Sequence, residues 1–430
     1  MTRQRQLKSQ IRTRMERTGE KYMVARRHVL NSRPSSDYEL RGGFEPETAA
    51  CANAFANRGI VDPVSGRSIS EELVLGVAGG LGAGYILWEF NATKGHERKL
   101  ATLGFRNQWQ YPDRWYAKVC ARLGVPVQIH ETSGVAKARD LLDRALDDGI
   151  PAIAWVSAAD LPFWHLPASQ SGWWGYPIVV YGREGDRYLV DDRNRGRLTI
   201  GAEELAEARS RIPSYKNRLV VADAAASELD EERLVSAVHD GLEEQVAHLS
   251  EKSNSFSLPT FDKWAKMLTD TKNAKAWSVV FADGAGLVEV LASLVDQIED
   301  RGQFGGTLRN LYAGFLDEAA SLVDTDLSEA AGAYRVAAER WLDVAAVCRS
   351  MPAVDEAARL SRLRRDAVEK GDAADKAARE AAEGFATVFE SADPLVPDEM
   401  TDLFNQMADA VRAVSQTEKE ALQALRTAIS

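Results

Sequence analysis

The sequence predicts an α+β N-terminal domain followed by an all-α C-terminal half. Runs with strand character occur only between about residues 100 and 225. Predicted helices precede these strands instead of alternating with them, which is typical of an α+β fold and not of repeated βαβ units. Beyond about residue 226, Ala, Leu, Glu and Arg recur at helical spacing, so we expect no strand after about residue 235.

Shifts in composition divide the chain into five segments. A chain of 430 residues is longer than one ordinary core needs, so several domains are expected. The segments are a basic helical arm at residues 1–32, a linker at 33–45, the α+β domain at 46–225, a helical domain at 226–350 and a C-terminal helical hairpin or extension at 351–430.

Charge is distributed unevenly along the chain. The net charge is −11, which argues against a nucleic-acid-binding surface, whereas residues 1–28 carry nine Lys or Arg and two Glu. A basic arm on an acidic body predicts that the arm docks its cationic face on an acidic surface. That surface belongs either to this chain or to a second copy, and we expect a homo-oligomer.

The cysteines and the lengths of the apolar runs indicate the cellular compartment. No apolar run has the length of a membrane span, and the N-terminal residues lack the apolar region of a secretory signal. Cys51, Cys120 and Cys348 are too few and too scattered for a disulfide framework or a zinc cluster. We therefore expect a cytoplasmic protein with no membrane contact, no metal and no cofactor.

Local patterns predict helices and strands within the α+β domain. PETAACANAFANRG and SISEELVLGVAGG read as helices that end at glycine, the second with Ser68 or Ser70 as its cap. Strand patterns occur in PVQIHET, PAIAWV, YPIVVYG and RYLVDD. Because a glycine-containing turn separates the last two, we expect them to form an antiparallel hairpin.

Cys51 lies near the start of the first of these helices. A helix N-terminus favours the thiolate, so a cysteine in this place can be a nucleophile, provided that a histidine base and a group to orient that base are present. Among the six histidines, His165 is the best-placed base because it lies in an aromatic loop directly before a strand. The alternatives are that Cys51 packs as a small apolar residue and that His165 is structural.

Two further stretches are candidate walls of a binding cleft. GVAGGLGAGY lacks the strand and the Lys-Ser/Thr of nucleotide-binding loops. It forms either a loop of close backbone approach or a wall that admits a ligand beside Gly80 and Gly82. In LGFRNQWQYPDRW, Trp109 and Tyr111 either line a pocket for a small molecule or belong to a loop that Trp109 and Trp115 pin onto the body.

Several short stretches occur in the order of a known family. ACANAFANRGI, ISEELVLGVAGGLGAGYILWEF, PAIAWV with LPFW, YPIVVYG and LVDDRNRGRLTI together resemble the N-terminal domain of the butirosin biosynthesis protein H family. FDKWAKMLTD, KAWSVVFADG and GGTLRNLYAGFLDEAASLV resemble the helical domain of unknown function that commonly accompanies it. The resemblance covers roughly residues 45 to 345 and implies a papain-like or double-glycine-peptidase-like fold for the α+β domain.

The resemblance also implies a cysteine-dependent site. In such folds a Cys in the first helix attacks a carbonyl, a His at the start of the central strand takes its proton, and an Asp at the end of the next strand orients the His. Those positions are Cys51, Tyr176 and Asp192, or its neighbour Asp191, in this chain. A tyrosine of ordinary pKa is a poor base at neutral pH. We expect the three residues to converge at one pocket mouth, with His165 as the substitute base if the site is active.

The resemblance implies acyl or aminoacyl transfer, or amide or thioester cleavage, in specialised metabolism. The named member moves an aminoacyl group from a carrier-protein thioester to an amine, so a carrier protein and a small-molecule acyl acceptor are the implied partners. Because the histidine is replaced, two alternatives stand beside this one. The chain is either a non-catalytic member that binds a small ligand or a partner protein in the cleft, or an oligomerising structural protein.

Overall fold

The structure is a computed structural model that describes most of the chain. The described residues are 11–16, 19–22, 25, 38–90, 98–223, 227–253, 255–300, 302–391 and 395–430. Residues 11–16 are helical, as predicted for the arm, whereas most of the remaining arm and residues 33–37 of the linker lie outside the described residues.

The described part of the arm contacts the body through Arg14. The guanidinium forms ion pairs with Asp148 and, at 2.8 Å, with Glu20, and it donates to the carbonyl oxygen of Asp147 at 3.0 Å. Arg14 is buried. For this arginine, the acidic partners belong to the same chain, which is one of the two expected alternatives.

The N-terminal region combines helices with two sets of strands. Its elements are α1 (Pro46–Asn57), α2 (Glu71–Val77), β1 (Leu81–Phe90), β2 (Arg98–Arg106), α3 (Pro112–Arg122), β3 (Val127–His130), α4 (Val135–Asp147), β4 (Ala152–Ser157), β5 (Gly175–Glu184), β6 (Arg187–Asp191), β7 (Leu198–Gly201), α5 (Ala202–Ser210) and β8 (Leu219–Ala222). Short 3₁₀ helices at Pro162–Trp164 and Ala168–Gln170 precede β5.

The strands form two antiparallel sheets. β1 and β2 pair as a separate two-stranded sheet, and the other six strands form one sheet in the order β3-β8-β4-β5-β6-β7. β5 and β6 form the predicted hairpin, with Val179 opposite Asp191. α1 packs on β4 and β5, which places the start of this helix at the face of the central strands.

The C-terminal half is helical. Its elements are α6 (Glu231–Leu249), α7 (Pro259–Thr269), α8 (Trp277–Val280), α9 (Leu287–Ile298), α10 (Arg309–Leu322), α11 (Ser328–Cys348), α12 (Pro352–Lys370), α13 (Asp375–Ser391) and α14 (Pro397–Ala428). The described residues after 235 contain no strand, as predicted. None of the described helices combines the length and the apolar composition that crossing a membrane requires.

The predicted limit of 100 to 225 for the strands is wrong at its N-terminal end. The glycine-rich stretch is not a loop, because α2 ends at Val77 and β1 begins at Leu81, only a short turn later. The cap of α2 is Ser70, whose hydroxyl accepts from the amide of Leu73 at 2.9 Å. Four glycines lie in this turn and at the start of β1. Because glycine has a low strand propensity, they weaken the pattern by which the strand could be predicted.

A single apolar core joins the two regions. It includes Phe55 and Trp155 from the N-terminal region and Trp264, Trp341 and Leu425 from the helical half. A smaller apolar cluster lies on the other face of the six-stranded sheet. The helical half therefore forms part of the environment of the sheets.

A fully buried ion pair links the β1–β2 sheet to the last helix. Arg309 donates to Glu418 at 2.6 Å and to the carbonyl oxygen of Gly82 at 3.2 Å, and both charged side chains are completely buried. The indole of Trp341 donates to the same oxygen of Glu418 at 2.8 Å. Because removal of one charge leaves the other buried and unpaired, this pair makes the fold dependent on α14.

We predict that Glu418→Ala destabilises the protein by about 3–5 kcal/mol, since Arg309 would be left uncompensated in the core. Urea unfolding followed by tryptophan fluorescence measures the loss. Glu420→Ala is the control, because Glu420 is exposed on the same helix. Equal midpoints for the two variants would contradict the role assigned to the buried pair.

Candidate functional site

A cavity of about 740 Å³ lies between the sheets of the N-terminal region and the helical half. This volume is in the range of small-molecule sites. β2 and the segment 166–177 line one side, and α9, α12 and α13 line the other. The aromatic side chains of the wall are Phe105, Trp109, Trp155, Trp173, Trp174, Tyr176, Tyr215, Phe304, Phe385 and Phe389.

The N-terminus of α1 opens into this cavity. Pro46 begins the helix, and the carboxylate of Glu45 caps it by accepting from the amide of Thr48 at 2.7 Å. Glu71 fixes the preceding turn because it accepts from the amide of Glu45 at 2.9 Å. Glu45, Pro46 and Glu47 line the cavity, so acidic residues occupy the place where a nucleophilic thiol was expected.

Two carboxyl groups and one guanidinium meet at this helix start. Arg106 is buried, 3.8 Å from Glu45 and 3.6 Å from Glu47. Burial and the adjacent Glu47 raise the pKa of Glu45 well above its usual value. Although burial opposes it, the hydrogen bond from Glu45 lowers the pKa of Glu47. The pKa values of these two adjacent carboxyls are therefore shifted in opposite directions, an arrangement suited to proton donation by one and acceptance by the other.

Cys51 lies one turn further along α1 and faces the core. The side chain is fully buried, and burial together with the nearby Cys120 raises the pKa of Cys51 well above its usual value. Among the described residues that line the cavity, Cys51 does not occur. The helix start, which favours a thiolate, is therefore separated from the thiol.

Tyr176 and Asp192 come together as expected. The hydroxyl of Tyr176 donates to Asp192 at 2.7 Å, and the indole of Trp164 donates to the other carboxylate oxygen at 2.7 Å. Arg193 donates to the Tyr176 hydroxyl. Burial raises the pKa of Tyr176 well above its usual value, so the hydroxyl stays protonated and acts as a donor. Tyr176 lines the cavity, and its hydroxyl forms its hydrogen bonds with Asp192 and Arg193.

Asp191, the alternative acid, has a separate set of partners. It accepts from the Tyr38 hydroxyl at 2.9 Å, from the Asn53 amide side chain at 3.1 Å and from the backbone amide of Arg193 at 3.0 Å. Burial raises the pKa of Asp191 to about 7. This carboxyl thus ties the segment before α1, α1 itself and the end of β6 to one another.

His165 is used in a different contact from the one expected of a base. Its Nε2 lies 2.7 Å from a carboxylate oxygen of Asp375, the first residue of α13. The backbone of His165 is left-handed, with φ of 47°. The contact fastens the loop to α13, while the next two residues, Leu166 and Pro167, line the cavity. No group of three or more His, Cys, Asp or Glu side chains in the described ranges could hold a metal ion.

Gly80 and Gly82 allow protein segments to approach one another. A Cβ at Gly80, where φ is +67°, would lie 2.1 Å from the side chain of Gln245 on α6. A Cβ at Gly82 would lie 2.3 Å from the carbonyl oxygen of Arg106. Both contacts correspond to the alternative of close backbone approach, and the cavity lies elsewhere.

The two aromatic candidates have different environments. Trp109 lines the cavity and packs against Gly104, where its indole nitrogen would be 2.1 Å from an added Cβ. Tyr111 precedes α3, is 47% exposed and carries the guanidinium of Arg114 4.7 Å from its ring centre. Trp109 therefore belongs to the cavity wall, whereas Tyr111 lies on the surface.

Sequence reasoning missed Glu45, Glu47 and Arg106, and also Arg364 of α12, which lines the cavity. A signal was present for the first two, because a proline flanked by glutamates marks a helix start. The two arginines lie in an ordinary strand and an ordinary amphipathic helix, and only the packing of those elements brings them to the cavity.

We predict that Asp191→Asn removes part of the pH dependence of stability. Since the folded protein binds the Asp191 proton more tightly than the unfolded chain does, this residue makes stability fall as pH rises from about 4 to about 7. Melting temperatures across that interval should fall less steeply for the variant. Asp186→Asn, in the exposed turn of the same hairpin, is the control. Identical slopes for native protein and Asp191→Asn would refute the prediction.

Comparison with protein families assigns both regions of the chain. Residues 45–193 match the family described as butirosin biosynthesis protein H, N-terminal, and residues 203–370 match a domain of unknown function, DUF4872. The first match begins at Glu45, which lies beside Arg106, and ends at Arg193, which donates to Tyr176. No curated protein matches the chain. The N-terminal α+β region of this chain is therefore similar to the family of butirosin biosynthesis protein H, N-terminal, and the helical region that follows it is similar to DUF4872.

Proposed function

We propose that this protein binds a small molecule of a biosynthetic pathway in the cavity at the start of α1, and that Cys51 does not act on it. The observation that carries the proposal is the composition of this helix start. Glu45, Pro46 and Glu47 face the cavity, and Cys51 is buried beside Cys120. The family name supports a biosynthetic role.

The cavity has the chemistry of a small-molecule site. Its aromatic walls suit a flat or apolar ligand body, and charged and polar side chains between them can fix the orientation of a ligand. The Glu45–Glu47 pair places two adjacent carboxyls with oppositely shifted pKa values in the cavity wall. Proton transfer to a bound ligand is therefore the chemistry that this pair offers, without a covalent intermediate.

Cysteine-dependent acyl transfer is the second candidate function. Cys51 on the first helix of the matched region and Asp192 near the cavity favour it. It requires the thiol to reach the cavity and to gain a base, and Tyr176 is engaged with Asp192 and Arg193. A carrier protein would be the acyl donor under this alternative only.

Thiol accessibility separates the two candidates. We predict that iodoacetamide leaves Cys51, Cys120 and Cys348 unmodified in the native protein between pH 7 and 8.5, because all three are buried and burial raises the pKa of each. All three should react in urea, and mass spectrometry of peptides identifies the sites. Rapid labelling of Cys51 in the native protein at pH 7 would support acyl transfer instead.

Ligand binding itself can be measured with the neutral dye phenylnaphthylamine, which fluoresces in apolar cavities. We predict binding of one dye per chain, unchanged in Cys51→Ala and weakened at least about tenfold in Ala382→Trp, because Ala382 lines the cavity. Ala377→Trp is the matched control, since Ala377 is exposed on the same helix. Equal binding by the two tryptophan variants, or no binding at all, would contradict the proposal.

A further inference from the structure

The unpartnered polar atoms in the cavity wall are all hydrogen-bond donors. Within the described part of the chain, five lining residues have a buried N–H group without a hydrogen-bond partner, and no lining residue has a buried acceptor in that condition. They are Arg106, Trp109, Trp174, Gln303 and Arg364. An unpaired buried donor costs about 1–3 kcal/mol, so this asymmetry points to an occupant that supplies acceptor oxygens.

Arg364 on α12 is the most unusual of these donors. It is 6% exposed, and its guanidinium lies 4.7 Å from the ring centre of Phe385 and 5.7 Å from that of Trp164. Among the described residues, none forms a hydrogen bond or an ion pair with it. The buried Arg193 and Arg309, in contrast, each have several partners. A buried guanidinium without a counter-ion is costly, and the cavity is the open side from which one can come.

The charge of Asp296 acts on Arg364 without a direct contact, because Asp296 forms its hydrogen bonds with other groups. Asp296 accepts from the hydroxyl of Ser361 and from the backbone amide of Gln303 at 3.2 Å. Burial lowers the pKa of Arg364, and the charge of Asp296 opposes that shift without a direct contact. Asp296 and Ser361 line the cavity as well, and the other lining side chains of α12 and α13 are apolar, namely Ala357, Ala382, Phe385, Ala386 and Phe389.

We infer that the ligand of this cavity carries an anionic oxygen group, a carboxylate or a phosphate, on an apolar or aromatic body, and that Arg364 binds this group. Guanidinium binds both groups with two parallel hydrogen bonds. The side-chain amide of Gln303 supplies a further donor, and the adjacent aromatic and alanine side chains contact the ligand body. This inference rests on the proposed ligand-binding function and names the class of ligand.

Two dyes test the anion site separately from the cavity. Phenylnaphthylamine is neutral, and anilinonaphthalene sulfonate is the same arylamine with one anionic group. We expect Arg364→Met to weaken binding of the sulfonate dye at least about tenfold and binding of the neutral dye less than about twofold, since only the sulfonate pairs with the guanidinium. Arg364→Lys keeps the positive charge but lacks the two parallel N–H donors of the guanidinium, so it should give an intermediate loss of affinity for the sulfonate dye.

Arg359→Met is the matched control, because Arg359 is exposed on the same helix and pairs with Glu356. This variant should not change the affinity for either dye. If Arg364→Met weakens binding of both dyes equally, or changes the binding of neither, the proposed anion site is wrong while the cavity proposal stands. Failure of the neutral dye to bind the native protein overturns both.

Competition with the native protein keeps the test independent of variant folding. Benzoate and phenyl phosphate should displace bound phenylnaphthylamine at concentrations at least about tenfold lower than benzyl alcohol, which has the same ring without the charge. The stronger of the two anions identifies the carboxylate or the phosphate as the group recognised. Displacement by benzyl alcohol at the same concentration as the two anions overturns the inference.

Discussion

The buried guanidinium of Arg193 is the constraint on which the arrangement of this site depends. It donates to the carbonyl oxygens of Phe44 at 2.7 Å and of Gln303 at 2.8 Å, and to the hydroxyl of Tyr176. The segment before α1, the central strand and a loop of the helical half therefore meet at one cation. The backbone of Arg193 is left-handed, with φ of 58°, a conformation that costs about 1–3 kcal/mol and persists where the surroundings over-determine it.

The two matched regions depend on each other physically. The apolar core runs from Phe55 to Leu425 without a break, and the Arg309–Glu418 pair closes it where the β1–β2 sheet meets α14. The cavity has the same dual origin, because β2 forms one wall and α9, α12 and α13 form another. A ligand bound there would contact both regions, which gives a physical reason for the helical partner to follow the N-terminal domain in one chain.

The chemistry at the start of α1 follows from its caps. The side-chain oxygen of Glu45 at the N-cap accepts from the free amide of Thr48, so Glu45 stabilises the helix in the same place where it faces the cavity. Burial and Glu47 raise the pKa of Glu45, and Arg106 opposes that shift. Cys51 lies about one turn further along the helix, is fully buried and does not line the cavity.

The sequence by itself determined the order of the elements, since hydrophobic periodicity and helix caps are local properties. It predicted the β5–β6 hairpin, the all-helical half and the contact of Tyr176 with Asp192. It did not predict β1, where glycines weaken the local signal. It left open whether Cys51 is buried, because which face of α1 meets the core is decided by the elements packed against it. The meeting of Glu45 with Arg106 across 61 positions of sequence, and the exposure of Arg364 to the cavity, were decided by tertiary structure alone. Such pairings are set by the packing of distant elements, and no local pattern encodes them.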